Sequence, residues 1–440
     1  MTVETGSDRV LATASALRSP SFAAYWTARS VSFLGSQVTY LALPLTAILV
    51  LKASPLEVGV LGMLQYVPFL LLGLPVGVWV DRVNLRALLV CCDLGRALAF
   101  AAIPVAAVLH VVNVPLLWAV AAVAGCLTVL FEIGAQAFLP RLVTTEQLVW
   151  SNSRIEVSRA VSRIVGPAAS GALIQALTAP VAIAVDAVSF VVSAAAIAAA
   201  RPRHVEREPA GRAEPLRARV AAAVRIVATQ PVVRALTGVE AVSAICEGAI
   251  AAGFFLYITR DLGMTAGAVG LMVGAGSVAS MTAALYVPAV VRRLGAGRSL
   301  LLGVAVIVPA TWLMPLASGS LVALFVVFAL AITVRESGKN VFNVTANSLY
   351  QQQIPAERLG SVTGVLQTLL TGGLVPVGFL AGGLAASAVG MRTTLVAVAA
   401  LYVLAPLFLL APAVRAFFTR PETAAGTPAA TSEPAAAASR

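Results

Sequence analysis

The chain has 440 residues, is 59% hydrophobic and only 11% charged, and carries a formal net charge of +11. Soluble domains run about 45–50% apolar and about 25% charged, and a fold of this size leaves a large exterior that water must wet. A soluble enzyme and a disordered chain are excluded; the basic residues sit between apolar runs, which argues against a nucleic-acid surface and for topology-setting charge in a membrane protein.

Residues 1–21 are expected to be a cytoplasmic N-terminus. Met1 to Ser19 lacks the charged-then-apolar pattern of a cleaved signal, so the first span should act as its own insertion signal. A spanning helix needs roughly 20 apolar residues. Such runs are predicted at 22–51, 56–80, 86–110, 115–139, 155–177 and 180–200, which form an N-terminal half, 22–200. A basic cytoplasmic connector, 201–232, follows with Arg201, Arg203, Arg207, Arg212, Arg217, Arg219 and Arg225. Its end, Val220 to Val233, mixes apolar residues with Arg225 and suits the surface of an anionic inner leaflet. Further runs at 233–258, 266–290, 299–317, 321–347, 360–388 and 392–411 form a C-terminal half, 233–411. The remainder, 412–440, is an Ala/Pro/Thr/Ser tail of disordered composition. The expected fold is an all-α membrane protein of twelve transmembrane helices in two pseudo-symmetric six-helix halves.

Charge sets the expected orientation. With the N-terminus inside, the outer loops hold Lys52, Arg260 and Arg392, and Arg29, Arg96, Arg335 and Lys339 fall within spans. The other 23 of the 30 lysines and arginines fall on the cytoplasmic side. Both termini are therefore expected inside, with the chain crossing the membrane of a bacterial cell many times.

An internal repeat is visible. Ser54-Pro55-Leu56-Glu57-Val58-Gly59 recurs as Thr265-Ala266-Gly267-Ala268-Val269-Gly270, 211 residues later. The same offset carries Asp81-Arg82 onto Arg292-Arg293, and Gly171 and Leu173 onto Gly382 and Leu384. Parallel repeats of this kind build secondary transporters whose solute site lies near the midplane between halves.

Ser54-Pro55-Leu56-Glu57 reads as a capping box with Pro at the first helical position, a structural device. The loop after the second span runs Gly77-Val78-Trp79-Val80-Asp81-Arg82-Val83-Asn84-Leu85-Arg86. It resembles the signature loop of the major facilitator superfamily, with Gly, then Asp four later, then basic residues; Asn84 and Leu85 depart from that pattern. The resemblance implies that Gly77, Asp81, Arg82 and Arg86 latch the two halves in one access state. Gly166-Pro167-Ala168-Ala169-Ser170-Gly171 resembles the end of that family's antiporter motif, with Ser170 for a Gly and without the upstream glycines. The same residues also read as a packing kink. Phe138-Leu139-Pro140-Arg141-Leu142-Val143, Ile354-Pro355-Ala356-Glu357-Arg358-Leu359-Gly360-Ser361-Val362 and Asp93-Leu94-Gly95-Arg96 resemble bacterial exporters of the enterobactin-exporter and macrolide-efflux type. The resemblance spans residues 20–411.

A charge inside the bilayer needs a partner or a watery cavity. Asp93 and Arg96, at i and i+3, can neutralise each other. Asp186, near the outer end of the sixth span, is expected to lie close to solvent. Glu336, Asn340, Asn343 and Asn347 fall on one face of the tenth span, with Arg335 and Lys339 beside it. Glu240, Ser243 and Glu247 make a stripe on the seventh, Glu132 and Gln136 on the fourth, and Arg29 and Ser36 on the first. The family resemblance implies that these four helices line a central cavity. Glu240 or Glu247 is the expected site of an exchanged proton or a cationic substrate, with Arg335 and Lys339 as counter-charges. The same residues also read as salt bridges that fix the seventh span to the tenth.

Cys91, Cys92, Cys126 and Cys246 lie in apolar runs without metal-ligand spacing, and no Ser/His/Asp or GxxxxGK[ST] pattern occurs. No enzyme activity, metal or cofactor is expected, and ATP is not the expected energy source. The expected function is a proton-antiport exporter of an amphipathic small molecule, such as a drug, a siderophore or a secondary metabolite. Its expected partners are lipid, substrate and protons, with no nucleic acid, and it is expected to be a monomer. A proton-coupled importer and a non-transporting sensor or scaffold remain the alternatives; an aromatic content of only 6% favours the exporter.

Overall fold

The computed structural model describes residues 19–80, 83–201, 216–412 and 414. Among these residues there is no strand, and twelve helices are long and apolar enough to cross a membrane. In lipid every backbone N–H and C=O must be satisfied within the segment, so apolar runs of this length resolve as helices. The N-terminal half holds α1 (Pro20–Leu45, continued by a wider π turn, Thr46–Val50), α2 (Pro55–Trp79), α3 (Leu85–Val108), α4 (Val114–Phe138), α5 (Leu148–Leu177) and α6 (Ala179–Ala199). A connector helix, Leu216–Thr229, leads to α7 (Pro231–Leu256, then a π turn, Tyr257–Asp261), α8 (Ala266–Leu294), α9 (Ala296–Leu316) and α10 (Leu321–Gln353). The span α11 combines Ala356–Gln367, a π segment Thr368–Leu374 and Val375–Val389, and α12 is Met391–Tyr402 extended by Ala405–Leu409.

Caps define many of the starts. Ser54 and Glu57 form the expected capping box, with Ser54 N donating to Glu57 Oε2 at 2.7 Å and Glu57 N donating to Ser54 Oγ at 3.3 Å. Asn84, Asn113, Thr265 and Ser320 cap α3, α4, α8 and α10 more simply, each side chain accepting from the backbone N–H three residues on. Two helices overrun their apolar stretches. α5 begins at Leu148, seven residues before the expected 155, and α10 continues to Gln353, past the expected 347. Hydropathy reports where lipid would be, whereas backbone hydrogen bonding carries a helix beyond it through polar residues such as Ser151 to Arg154.

The two halves repeat closely. Pro20 and Pro231, Pro55 and Ala266, and Leu85 and Ala296 open equivalent helices 211 residues apart, and the two π turns keep that spacing. The later pairs do not: Val114 and Leu321 open α4 and α10 207 apart, Leu148 and Ala356 open α5 and α11 208 apart, and Ala179 and Met391 open α6 and α12 212 apart. Gly171 therefore corresponds to Gly383 rather than Gly382.

At the end where α1 passes into α2, the halves are sealed. A Cβ on Gly171 of α5 would stand 2.6 Å from Ala266 O of α8, and one on Gly59 of α2 would stand 2.6 Å from Phe379 O of α11. Arg260 Nη2 donates to Ile48 O at 3.0 Å across the same seam, and Leu56 N donates to Ser387 Oγ at 3.1 Å. Toward the opposite, connector end the halves part. A Cβ on Gly77, Gly360 or Gly364 would meet nothing within 4 Å. The connector helix packs along the start of α11 and against α7, with Ala223 buried.

Candidate functional site

On the connector side of the glycine seam lies a cavity of about 590 Å³. Its wall takes Gln37 and Tyr40 from α1, Arg163 and Pro167 from α5, Glu247, Phe254 and Phe255 from α7, Ser277, Ser280 and Met281 from α8, and Arg335, Glu336, Lys339 and Asn340 from α10.

Helical spacing gathers the α10 charges: Lys339 follows Arg335 by four residues and Glu336 by three, so all three share one side of the helix. α7 brings Glu247 into their midst. Arg335 Nη2 binds Glu247 Oε1, and Lys339 Nζ reaches the same oxygen at 3.2 Å. Tyr402 of α12 donates its hydroxyl to that oxygen at 3.3 Å. Glu336 Oε1 lies 3.2 Å from Arg335 Nη1 and 3.3 Å from Lys339 Nζ. Two acids and two bases thus form one cluster without net charge. Asn340 donates to Ser280 Oγ at 3.2 Å and keeps Oδ1 buried without a protein partner. Around this polar floor, Tyr40, Phe254, Phe255, Met281 and Met314 supply apolar wall.

Other expected site residues lie elsewhere. Glu240 is two turns from Glu247, about 10 Å along α7 at 1.5 Å per residue, and is not in the cavity wall. Tyr350 donates to its Oε2 at 3.1 Å. Asn343 and Asn347 are exposed, farther along α10 toward the connector end, and Gln136 is exposed on α4. Arg29 and Glu132 do not line the cavity. They form a two-pronged pair between α1 and α4, Nη1 to Oε1 at 2.9 Å and Nη2 to Oε2 at 3.0 Å. Arg159 of α5 approaches Glu132 at 3.9 Å, and Phe33 lies against both arginines.

Asp93 and Arg96 pair within α3, as their spacing predicted. Ser193 of α6 donates to Asp93 Oδ2 at 2.6 Å, and the Arg96 guanidinium sits 4.2 Å from the ring centres of Phe131 and Phe190. This cluster binds α3 to α6 away from the cavity. Asp186, expected near solvent, is 0% exposed, because Gly35 lets α1 close over it.

Of the latch loop, Asp81 and Arg82 lie outside the described residues. Arg86 binds the Ala198 carbonyl at the end of α6. Gly77 makes no close approach, because the halves are parted at that end. The Gly166 to Gly171 stretch does make close contacts. Gly166 admits the Gln37 side chain of α1, Ser170 Oγ donates to Gly166 O at 2.6 Å, and a Cβ on Gly270 would stand 2.3 Å from Pro167 O.

Sequence reasoning missed Tyr402, Arg163 and Ser280. Tyr402 is a single polar tip in an apolar run and leaves no periodic signal. Arg163, with Arg154 and Arg159, passed as topology-setting charge.

A model of the Major Facilitator Superfamily matches residues 25–376. The chain belongs to the Major Facilitator Superfamily. Members move solutes by rocking two helical halves about a central site, and the cavity between these halves fits that description. Several solved structures share the superfamily fold. The nucleoside transporter NupG has a TM-score of 0.73 at 11% identity, covering 89% of this chain and 98% of that one. A bacterial homologue of the human lysosomal transporter Spinster, inward-facing and unoccupied, has a TM-score of 0.68 at 14% identity, covering 94% and 98%. A bacterial homologue of the iron transporter ferroportin, inward-facing, has a TM-score of 0.66 at 18% identity, covering 88% and 97%. At these identities the likeness carries the superfamily fold alone. No curated protein sequence matches the chain significantly. Among the described residues, no group of three or more His, Cys, Asp or Glu side chains is placed to hold a metal ion.

Proposed function

We propose that this transporter is a proton-antiport exporter in the cytoplasmic membrane of a bacterium and that it extrudes an amphipathic small molecule. The observation that carries this is the cavity's division into an aromatic and methionine wall above a charged floor. An amphipathic molecule can lay its apolar body on the wall and its polar group on the floor.

Orientation supports export from the cytoplasm. The positive residues concentrate at the connector end, which the positive-inside rule puts in the cytoplasm. In that orientation the parted end faces inward, and the cavity is ready to load from the cell interior. Residues 22–200 and 233–411 are then the two moving bodies, and 201–232 is their cytoplasmic link.

Glu247 is proposed as the exchange point. Its Oε1 is held by Arg335, Lys339 and Tyr402, so a basic or hydrogen-bond-donating group on the substrate must displace one of these donors. A proton on Glu247 would loosen the same contacts, which makes substrate and proton competitors for one carboxylate.

The test is efflux in everted membrane vesicles with an acid interior, using a panel of amphipathic toxins chosen from those whose potency the expressed chain lowers. Glu247→Gln should abolish the pH-driven flux while the protein stays in the membrane at normal level. Unchanged flux in that variant removes Glu247, and a panel with no change in potency sinks export of amphipathic toxins. Uptake in right-side-out vesicles driven by the opposite gradient would favour the importer.

A further inference from the structure

Asp186 is buried without an ionic partner. It lies seven residues into α6, about 10 Å from the sealed end, and is fully shielded from solvent. Ser189 Oγ donates to its Oδ1 at 3.0 Å, while Oδ2 is buried with no partner. On the facing helix, α1, a Cβ at Gly35 would stand 2.6 Å from Asp186 Oδ1, so only glycine allows this closeness. One turn further on the same face of α1, Thr39 Oγ1 is also buried with no partner.

The ionisable groups nearby are all committed. Asp93 and Arg96 of α3 bind each other, and Arg29 of α1 binds Glu132. The neighbouring stretch of α5, residues 164–177, holds no ionisable side chain. An ionised Asp186 would have only two hydroxyl donors, Ser189 at Oδ1 and Thr39 at Oδ2, and no cation, a costly arrangement for a charge away from water. A proton on Oδ2 makes the group neutral and gives it an O–H to donate to Thr39 Oγ1, which satisfies both atoms.

We propose that Asp186 is a proton-binding site of the transport cycle, occupied in the conformation seen here and emptied when α1 shifts against α6. Gln37 and Tyr40, on the other side of α1, line the cavity. Substrate and proton therefore act on opposite faces of one helix. The step is a plain dissociation, in which the carboxyl becomes a carboxylate and its proton passes to water. The carboxylate then needs water or a cation beyond the two hydroxyls, which the tight α1–α6 contact does not supply, so α1 is driven away. By reciprocity, a substrate that displaces α1 loosens the proton. This rests on the antiport proposal but places a proton apart from Glu247.

The test needs no substrate. Infrared difference spectra of the purified, lipid-reconstituted protein should show a protonated-carboxyl band that bleaches as pH rises and is absent in Asp186→Asn. A cysteine placed at Ser277 in the cavity, in a background without native cysteines, should react with maleimide at a rate that still depends on pH after division by the rate of a free thiol at the same pH. Asp186→Asn should remove that dependence and hold the acid-side rate. Thr39→Val keeps the acid and should shift the band to the frequency of a carboxyl without an acceptor. A band that survives in Asp186→Asn, an unaltered pH dependence of labelling, or an unshifted band in Thr39→Val would overturn the proposal. Antiport can fail in the vesicle assay above while these readouts still decide Asp186.

Discussion

Gly171 of α5 and Gly270 of α8 face each other across the seam between the two halves, and a Cβ on Gly171 would lie 3.2 Å from Gly270 Cα. The equivalent contact on the other side of the molecule is Gly59 of α2 with Gly383 of α11, also 3.2 Å. Two pseudo-symmetric glycine crossings therefore close one end of the cavity, and backbone meets backbone at both. The antiporter-like stretch gains a concrete structural task, which is to let α5 lie flat on α8.

A bulky side chain at this seam should hold it open. Gly171→Leu would force α5 and α8 apart, because the atoms it meets are backbone and cannot swing away. The sealed conformation should lose population in favour of one open at that end. Reaction of a Ser277→Cys cavity cysteine with an impermeant maleimide added outside intact cells should rise well above the rate in the parent. A rate equal to the parent's would show that the seam tolerates the side chain.

The Arg29–Glu132 pair should be structural. Removing one member leaves a buried charge unpaired, at a cost of about 3–5 kcal/mol. Glu132→Gln should therefore lower the thermal unfolding temperature markedly. The double change Arg29→Met with Glu132→Leu should recover most of it, since neither charge is then stranded. Recovery of the melting temperature in the double variant is the check.

Within the cavity cluster the three donors to Glu247 should rank. Tyr402→Phe removes one hydrogen bond to a charged group, about 1.5 kcal/mol, and should leave expression intact while altering flux. Arg335→Met removes a buried guanidinium that touches both acids and should cost about 3 kcal/mol or more. Lys339→Met should fall between them, because its ammonium is partly exposed. Melting curves in one detergent would order the three.

Thr178, between α5 and α6, sits at φ +98°, ψ 154°, where its counterpart Gly390 sits at φ +83°, ψ 158°. Side-chain-bearing residues pay about 1–3 kcal/mol for such backbone. Thr178→Gly should raise the melting temperature, and Gly390→Thr should lower it. Flux should be unchanged in the first variant, since the corner is remote from the cavity.

Much of this architecture is legible in the amino-acid order. Lipid forces each apolar run to satisfy its own backbone, so the twelve helices follow from sequence without any knowledge of neighbours, as do the Ser54–Glu57 capping box and the 211-residue repeat of the first helices in each half. The Asp93–Arg96 pair is legible too, because its partners share a helix. Partnership between helices is not. Glu240 and Glu247 lie on the same face of α7 and carry the same signal, yet only Glu247 meets Arg335, Lys339 and Tyr402. Which acid reaches the cluster depends on depth along the helix and on what α10 and α12 present at that depth. Asp186 makes the same point from the other side. Position near a helix end suggested water, but burial depends on the side a residue faces, and Gly35 lets α1 close over that side. The 11% of the chain that is charged could be divided by sequence into charge outside the bilayer and charge within it. Only packing decided which of the inner charges share a cavity and which stand apart.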